Sequence, residues 1–310
     1  MTDEEMTRND RRKMAYPGKS VNTIVFNYWR QSDSCLTVIS NVIIVGSDKG
    51  DEEMHKQLKA DVTLLLVVII WGSTFVITKD AIQHIQTYNF LTLRFVLAAL
   101  LLALFSFKKL PGLDRITVKN GVILGLMLFG GYAFQTVGLN YTTASNSAFI
   151  TGFSAVIVPI LSTFMLKKRP QLSAVLGVVL AVAGLGLLTL GDSFMLNIGD
   201  VYTLLCTLFY ALQIIMLDRY THMSDPMLLA TVEITVVALL STLFTLVFEQ
   251  PVIPAAPSVW LAVLITSLLA TTFAFIAQNI AQKYTTPTHT ALIFLGEPVF
   301  AQAFRLCTAG

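Results

Sequence analysis

Five side chains in this chain combine a chemically useful group with a position inside a long apolar stretch, where polar groups are costly. They are Arg94, Gln135, Glu233, Gln278 and Glu297. A guanidinium shielded from water can hold a carboxylate through paired hydrogen bonds, and a shielded carboxyl can take up and release a proton. These residue types therefore predict a pathway that recognises a small charged molecule.

Arg94 and Glu233 are the two charged residues nearest the ends of their apolar stretches. Arg94 either extends its aliphatic stem towards the lipid headgroups or faces a central cavity. Glu233 lies at a similar depth in a stretch of opposite direction, so the two charges are expected at different heights in the membrane. We therefore do not expect Arg94 and Glu233 to form a direct ion pair.

Glu297 differs because it falls near the middle of its apolar stretch and is followed by Pro298. One interpretation is structural: Pro298 kinks the helix, and the carboxyl satisfies a freed backbone group. The other is a gating kink with a titratable group that couples transport to protons. Gln135 and Gln278 either line the pathway or form hydrogen bonds between helices.

Composition explains why these stretches must lie in lipid. The chain of 310 residues is 55% hydrophobic and 13% charged, against about 25% charged residues in soluble domains. The first 59 residues hold 18 of the 40 charged side chains, which leaves 22 for the other 251. We therefore predict an all-α integral membrane protein, because only closed hydrogen-bonding schemes survive in lipid.

The same composition excludes other classes of protein. A net charge of +2 offers no surface for nucleic acid. The three cysteines are far apart, and neither metal-ligand spacing nor a nucleophile motif occurs. We predict no catalytic residue, no metal and no cofactor, and hence no enzyme.

Apolar stretches of spanning length number nine, and the basic residues between them set an orientation. Nine Lys or Arg residues lie in the loops after even-numbered spans, and Lys79 alone borders an odd-numbered loop. Positive loops stay in the cytoplasm, so we expect a cytoplasmic N-terminus in a cell membrane. The predicted spans are 62–79, 88–107, 121–140, 146–166, 172–190, 200–217, 227–248, 258–280 and 286–305.

An internal repeat relates the first five spans to the last four. An offset of 139 residues aligns Asp61 with Asp200 and Arg94 with Glu233, and an offset of 143 aligns Gln135 with Gln278. The later offset also aligns Tyr141-Thr142-Thr143 with Tyr284-Thr285-Thr286, and Ser154 with Glu297. Chance similarity between two apolar segments is the alternative to a true duplication.

A repeat of five spans must invert on its second appearance, which is an architecture of secondary transporters. We therefore predict a 5+5 inverted-repeat bundle of about nine transmembrane helices, with the tenth missing. The expected domains are a cytoplasmic N-terminal extension at 1–57 that is either disordered or extraneous, a first repeat at 58–191 and a second repeat at 192–310 that is truncated before its last helix.

Several short motifs occur in a family order: Trp71-Gly72-Ser73-Thr74-Phe75, Arg94-Phe95, Tyr141-Thr142-Thr143-Ala144 and Glu297-Pro298-Val299. In these the chain resembles the EamA-type family of the drug/metabolite transporter superfamily. The resemblance implies a ten-helix inner-membrane permease that exports amino acids or other small metabolites. Residues 1–53 have no counterpart in the family pattern.

Two other functions remain open from the sequence. A truncated copy could be inactive, and a small multidrug-type exporter of cations is the other alternative, although span one carries no internal acidic residue. The expected partners are a small-molecule substrate, the lipid bilayer and, as a hypothesis, the proton.

Overall fold

In the computed structural model, residues 50–165 and 197–308 are described, together with helical positions 176, 179, 180 and 183. Almost all of the predicted fifth span and most of the N-terminal extension lie outside these residues. Eight helical segments within the described ranges are long and apolar enough to cross a bilayer. They coincide with the other eight predicted spans, and the all-helical membrane fold is confirmed.

Helices α1 to α5 belong to the first half of the chain, and α6 to α11 belong to the second. The bounds are α1 Gly50–Ala81, α2 Thr87–Phe105, α3 Arg115–Leu139, α4 Ala144–Gly152, α5 Ser154–Met165, α6 Ile198–Thr221, α7 Pro226–Phe248, α8 Pro257–Ser267, α9 Ala274–Ala281, α10 Pro287–Phe294 and α11 Glu297–Thr308. A π-helical segment, Leu268–Phe273, joins α8 to α9.

Polar residues in the short turns determine where several helices begin. The side chains of Thr143 and Thr286 accept hydrogen bonds from backbone N–H groups in the first turns of α4 and α10, and Asp225 does the same for α7. Such N-caps satisfy donors that have no partner within the helix. Turn residues noted in the sequence thus fix the helix starts.

Helix α2 begins differently, because its N-cap residue makes no capping hydrogen bond with its side chain. Glu249, at the end of α7, caps it instead. The Glu249 carboxylate accepts hydrogen bonds from the backbone N–H groups of Tyr88, at 3.0 Å, and Asn89, at 2.8 Å. A residue from the second half of the chain therefore caps the N-terminus of a helix in the first half.

Two of the spans are broken near their middle. The first break separates α4 from α5 at Phe153, and the second separates α10 from α11 at Leu295 and Gly296. Glu297 and Pro298 are the first two residues of α11, a position where proline sacrifices no hydrogen bond within the helix. The break therefore lies in the turn before Pro298, where a proline clashes with the carbonyl four residues earlier.

The two halves pack against each other through their central helices. Helix α6 packs along α3, and α7 packs along both α2 and α3. The main core cluster draws residues from both halves, including Phe90, Phe95, Ile234 and Phe275. A space between the halves is consequently surrounded by helices from each of them.

Candidate functional site

A central cavity of about 60 Å³ lies between the halves, beside both helix breaks. Four of the five predicted side chains line it: Arg94, Gln135, Gln278 and Glu297. The volume holds a few water molecules, well below the roughly 300–1,000 Å³ of typical small-molecule pockets. The cavity as described is therefore too small to hold a drug-sized molecule.

Arg94 points into this cavity and is only 3% exposed, so the headgroup interpretation is excluded. Its Nε donates to the Thr271 hydroxyl at 2.9 Å, and its Nη2 donates to the Tyr132 hydroxyl at 3.1 Å. The guanidinium carbon also lies 4.7 Å from the centre of the Tyr132 ring. These contacts orient the guanidinium but leave its positive charge without a counter-charge.

No carboxylate among residues 50–165 and 197–308 forms an ion pair with Arg94, and its Nη1 makes no hydrogen bond to them. A buried cation without an anion is costly, since water cannot solvate it fully. Hydroxyl and aromatic contacts reduce this cost only in part. The arrangement favours an anion as the occupant of the neighbouring space.

Glu297 is the acidic counterpart on the wall of the same cavity. It is 7% exposed, and within the described residues its carboxyl accepts no hydrogen bond and joins no ion pair. The side chain projects from the first turn of α11, directly after the helix break. A carboxyl in this position can bind a cation or a proton.

Both polar atoms of the Gln135 amide form hydrogen bonds. Its Nε2 donates to Thr151 at 3.0 Å, and its Oε1 accepts from the Tyr210 hydroxyl at 3.1 Å. Its repeat partner Gln278 makes one longer contact, at 3.4 Å to Gln282, and the buried Oε1 of Gln278 has no partner. Both glutamines line the cavity, but only Gln135 is fully hydrogen-bonded through its amide.

Glu233 does not line the cavity but lies behind Gln213, which does. The Gln213 Nε2 donates to the Glu233 Oε1 at 2.9 Å, while the buried Oε2 has no partner. No ion pair joins Glu233 to Arg94 in the described part of the chain, as the sequence predicted.

Sequence reasoning missed Tyr132, Tyr210 and Gln213, whose side chains also line the cavity, and Thr271, which does not line it but accepts a hydrogen bond from Arg94. Thr271 reaches Arg94 because it lies in the π-helical segment, where its hydroxyl donates to the carbonyl of Thr266 at 2.8 Å. Such π-helical turns are frequent at functional sites. Nothing in the local residue pattern marks one, so no sequence signal could have revealed it.

The Trp-Gly motif of α1 also has a clear structural role. Trp71 packs against Phe275 and Phe294, with ring centres 5.5 Å and 5.2 Å away. A Cβ atom on Gly72 would lie 2.7 Å from the carbonyl oxygen of Glu297, so only glycine allows α1 to pass this close to α11. The motif therefore holds the second helix break against α1.

Metal chemistry has no obvious site here. In the part of the chain that the structure describes, no group of three or more His, Cys, Asp or Glu side chains is arranged to hold a metal ion.

Comparison with known proteins identifies the family that this architecture matches. The model of the EamA-like transporter family matches residues 58–190 and 197–307. An uncharacterized transporter of Archaeoglobus fulgidus is 39% identical over 258 residues, which cover 83% of this chain and 80% of the relative. The uncharacterized transporter YoaV of Bacillus subtilis is 25% identical over 232 residues, covering 71% of this chain and 78% of its own.

The fold also resembles a solved crystal structure, with a TM-score of 0.69 and 19% sequence identity. The similarity covers 81% of this chain and 89% of the other. At this level of identity the likeness concerns the fold alone.

Proposed function

This chain belongs to the EamA-like transporter family and is a multi-pass membrane permease, and on that premise we propose that it exports amino acids or other small metabolites as a secondary transporter. The route passes through the central cavity between the two halves. The substrate, the direction and the residues involved are part of the proposal.

One observation carries the proposal: Arg94 and Glu297 line the same cavity, and neither forms an ion pair with a described residue. A zwitterion such as a free amino acid supplies both missing charges, with its carboxylate towards Arg94 and its ammonium towards Glu297. A purely cationic drug would meet the positive charge of Arg94. The charge pair therefore favours amino acids over the multidrug alternative.

The membrane orientation identifies the face from which an exported substrate is loaded. Basic residues of the described loops, such as Lys109, Lys119, Arg219 and Lys283, lie near the helix ends remote from Lys79. The positive-inside rule assigns the face with more of them to the cytoplasm, with the N-terminus on the same face. In a cell membrane, substrate would then load from the cytoplasm and leave on the opposite side.

Transport by the purified chain in liposomes tests this function. We expect uptake of at least one radiolabelled amino acid from a panel that also contains a cationic dye. Arg94→Gln should reduce amino-acid uptake roughly tenfold or more, because a buried charged hydrogen bond is worth about 1.5–3 kcal/mol. The matched control Lys109→Gln removes an exposed cation and should retain wild-type uptake.

Two outcomes would contradict the proposal. The first is that the wild-type chain transports no amino acid, which an inactive copy would produce. The second is that it transports the dye and that Arg94→Gln improves this activity, as expected for a cation exporter whose cavity is freed of a repelling charge.

A further inference from the structure

We propose that two equivalent hydrogen bonds, Thr142–Asp200 and Thr285–Asp61, act as alternating latches at the two ends of the bundle. The first is closed in this structure and the second is open. The inference rests on the proposed transport function, since a transporter must open one end of its pathway while the other stays shut.

The internal repeat relates the two pairs. Asp61 aligns with Asp200 at the offset of 139, and Thr142 aligns with Thr285 at the offset of 143. In each pair the threonine lies in the turn before a broken span of one half, and the aspartate lies in the first helix of the other half, where Asp200 is the third residue of α6 and Asp61 is the twelfth residue of α1. The repeat alone therefore makes these pairs equivalent.

The two pairs lie at opposite ends of the bundle, which we call the Thr142 end and the Thr285 end. Helix α1 connects them. On this helix, the Asp61 Oδ2 lies 3.8 Å from the His289 Nε2, and His289 follows Thr285 in the sequence. In its last turn, Lys79 donates a hydrogen bond to the carbonyl of Leu139, just before Thr142.

At the Thr142 end, the hydrogen bond between Thr142 and Asp200 is formed. The Thr142 hydroxyl donates to the Asp200 Oδ1 at 2.6 Å, and both side chains are buried. The backbones touch beside it, because a Cβ atom on Gly199 would lie only 2.5 Å from the carbonyl oxygen of Gly138. Helices α3 and α6 are therefore in backbone contact at this end.

At the Thr285 end the same two groups are present but do not meet. The Asp61 Oδ1 and the Thr285 hydroxyl are both shielded from solvent, and neither has a hydrogen-bond partner among the described residues. The positions equivalent to the two glycines are Ala60 and Ala281, both buried in one cluster. Methyl groups therefore stand where glycines allow contact at the other end.

The local turns do not cause the difference. Thr143 accepts a hydrogen bond from the Asn146 N–H at 3.1 Å, and its equivalent Thr286 accepts one from the His289 N–H at 3.2 Å. Both turns are thus formed in the same way, and only the aspartate partner differs. A shielded donor and a shielded acceptor in equivalent positions are expected to pair in another conformation, because leaving both unpaired is costly.

The latches then exchange during transport. Opening the Thr142 end breaks Thr142–Asp200, and closing the Thr285 end makes Thr285–Asp61. Because one hydroxyl-to-carboxylate hydrogen bond replaces another of the same kind, the two conformations stay close in free energy. A small difference in substrate binding can then shift the balance.

Thiol labelling from each side of the membrane tests the exchange. The full chain carries Cys35→Ser, Cys206→Ala and Cys307→Ser, with Ser154→Cys as a reporter in the cavity wall. A membrane-impermeant thiol reagent is applied to right-side-out and inside-out vesicles. Thr142→Val should raise labelling from the Thr142 end roughly tenfold, because it removes a charged hydrogen bond of the present conformation.

Thr285→Val should act in the opposite direction and lower labelling from the Thr142 end, because it destabilises the alternative conformation. Thr142→Ser and Thr285→Ser keep the hydroxyl and serve as matched controls with parental labelling. Shifts of the same sign in both valine variants, or no shift in Thr285→Val, would overturn the proposal.

A cysteine pair gives a second measurement that does not depend on weakening the fold. Asp61→Cys with Thr285→Cys should form a disulfide on oxidation, and labelling from the Thr142 end should then rise. Failure of the pair to cross-link would also reject the latch. Labelling needs no transported substrate, so opposite shifts without amino-acid transport would reject the proposed function and retain the latch.

Discussion

The two helix breaks occupy equivalent places in the repeat, yet their polar groups are used differently. At the first break, Thr151 accepts a hydrogen bond from Gln135, whose other amide atom is bonded to Tyr210. At the second, Glu297 accepts no hydrogen bond from a described residue, and the Oε1 of Gln278 has no partner. Both breaks place polar side chains on the cavity wall, but only the second places a carboxyl there that accepts no hydrogen bond from a described residue.

The largest expected difference between the two breaks is in their effect on transport, and it arises from the aligned residues Glu297 and Ser154. Glu297→Gln keeps the shape and much of the hydrogen-bonding capacity but loses the titratable group. We expect it to abolish the pH dependence of transport and to reduce proton-driven uptake roughly tenfold or more, whereas Ser154→Ala should change uptake less than about threefold. Uptake in liposomes under an imposed pH gradient measures both.

This comparison fails if proton-driven uptake is equal in wild type and Glu297→Gln. The carboxyl would then serve the structure of the break, as one interpretation of the sequence proposed. Reduced uptake in Pro298→Ala alone would support that structural role.

A smaller effect separates the two glutamines. Gln135→Leu leaves Thr151 and Tyr210 without partners in a buried setting, so it should lower the free energy of unfolding by about 1–3 kcal/mol. Gln278→Leu removes one long hydrogen bond and an oxygen that already lacks a partner, so its loss should be below about 1 kcal/mol. Thermal unfolding in one detergent compares the variants, and equal losses would contradict a more firmly bonded first break.

The smallest effect lies outside the cavity, at the N-cap of α7. Partial burial alone would raise the pKa of Asp225, but hydrogen bonds from Lys109 and from the backbone of Leu228 and Met227 lower it overall. The cap therefore stabilises the fold above the unfolded pKa of about 3.9 and loses this effect as the pH falls through the lowered value.

Asp225→Ala should accordingly cost about 0.5–1 kcal/mol at neutral pH, towards the low end for a cap because the ion pair with Lys109 is exposed. The difference from wild type should shrink towards pH 3. Asp225→Asn keeps a capping oxygen and should lose less. A loss in Asp225→Ala that does not depend on pH would exclude the ionised cap.

The sequence predicted eight spans that the structure describes and four of the side chains on the cavity wall, because hydrophobic length and polar groups inside the membrane are local signals. Arg94 and Glu297 were identified for that reason. Glu233 was placed in the pathway by the same signal, but the structure sets it behind Gln213. Whether a buried charge faces a cavity or a neighbouring helix depends on tertiary packing.

The π-helical segment and the aromatic side chains of the cavity wall could not be predicted from the sequence. Thr271 is an ordinary threonine in an apolar run, and only the extra residue in the helical turn directs it to Arg94. Tyr132 and Tyr210 sit on α3 and α6, which meet only after the two halves have packed. Contacts between halves leave no trace in the spacing of residues along one helix.

The Glu249 cap on α2 has a consequence for how the chain folds. The sequence predicts five spans in the first half of the chain and four in the second. The first turn of α2, in the first half, nevertheless depends on the Glu249 carboxylate of the second half. The long contact between α2 and α7 adds to the same dependence. If the two halves are expressed as separate polypeptides, we expect each to need the other to complete its helices, so the two halves fold as one unit.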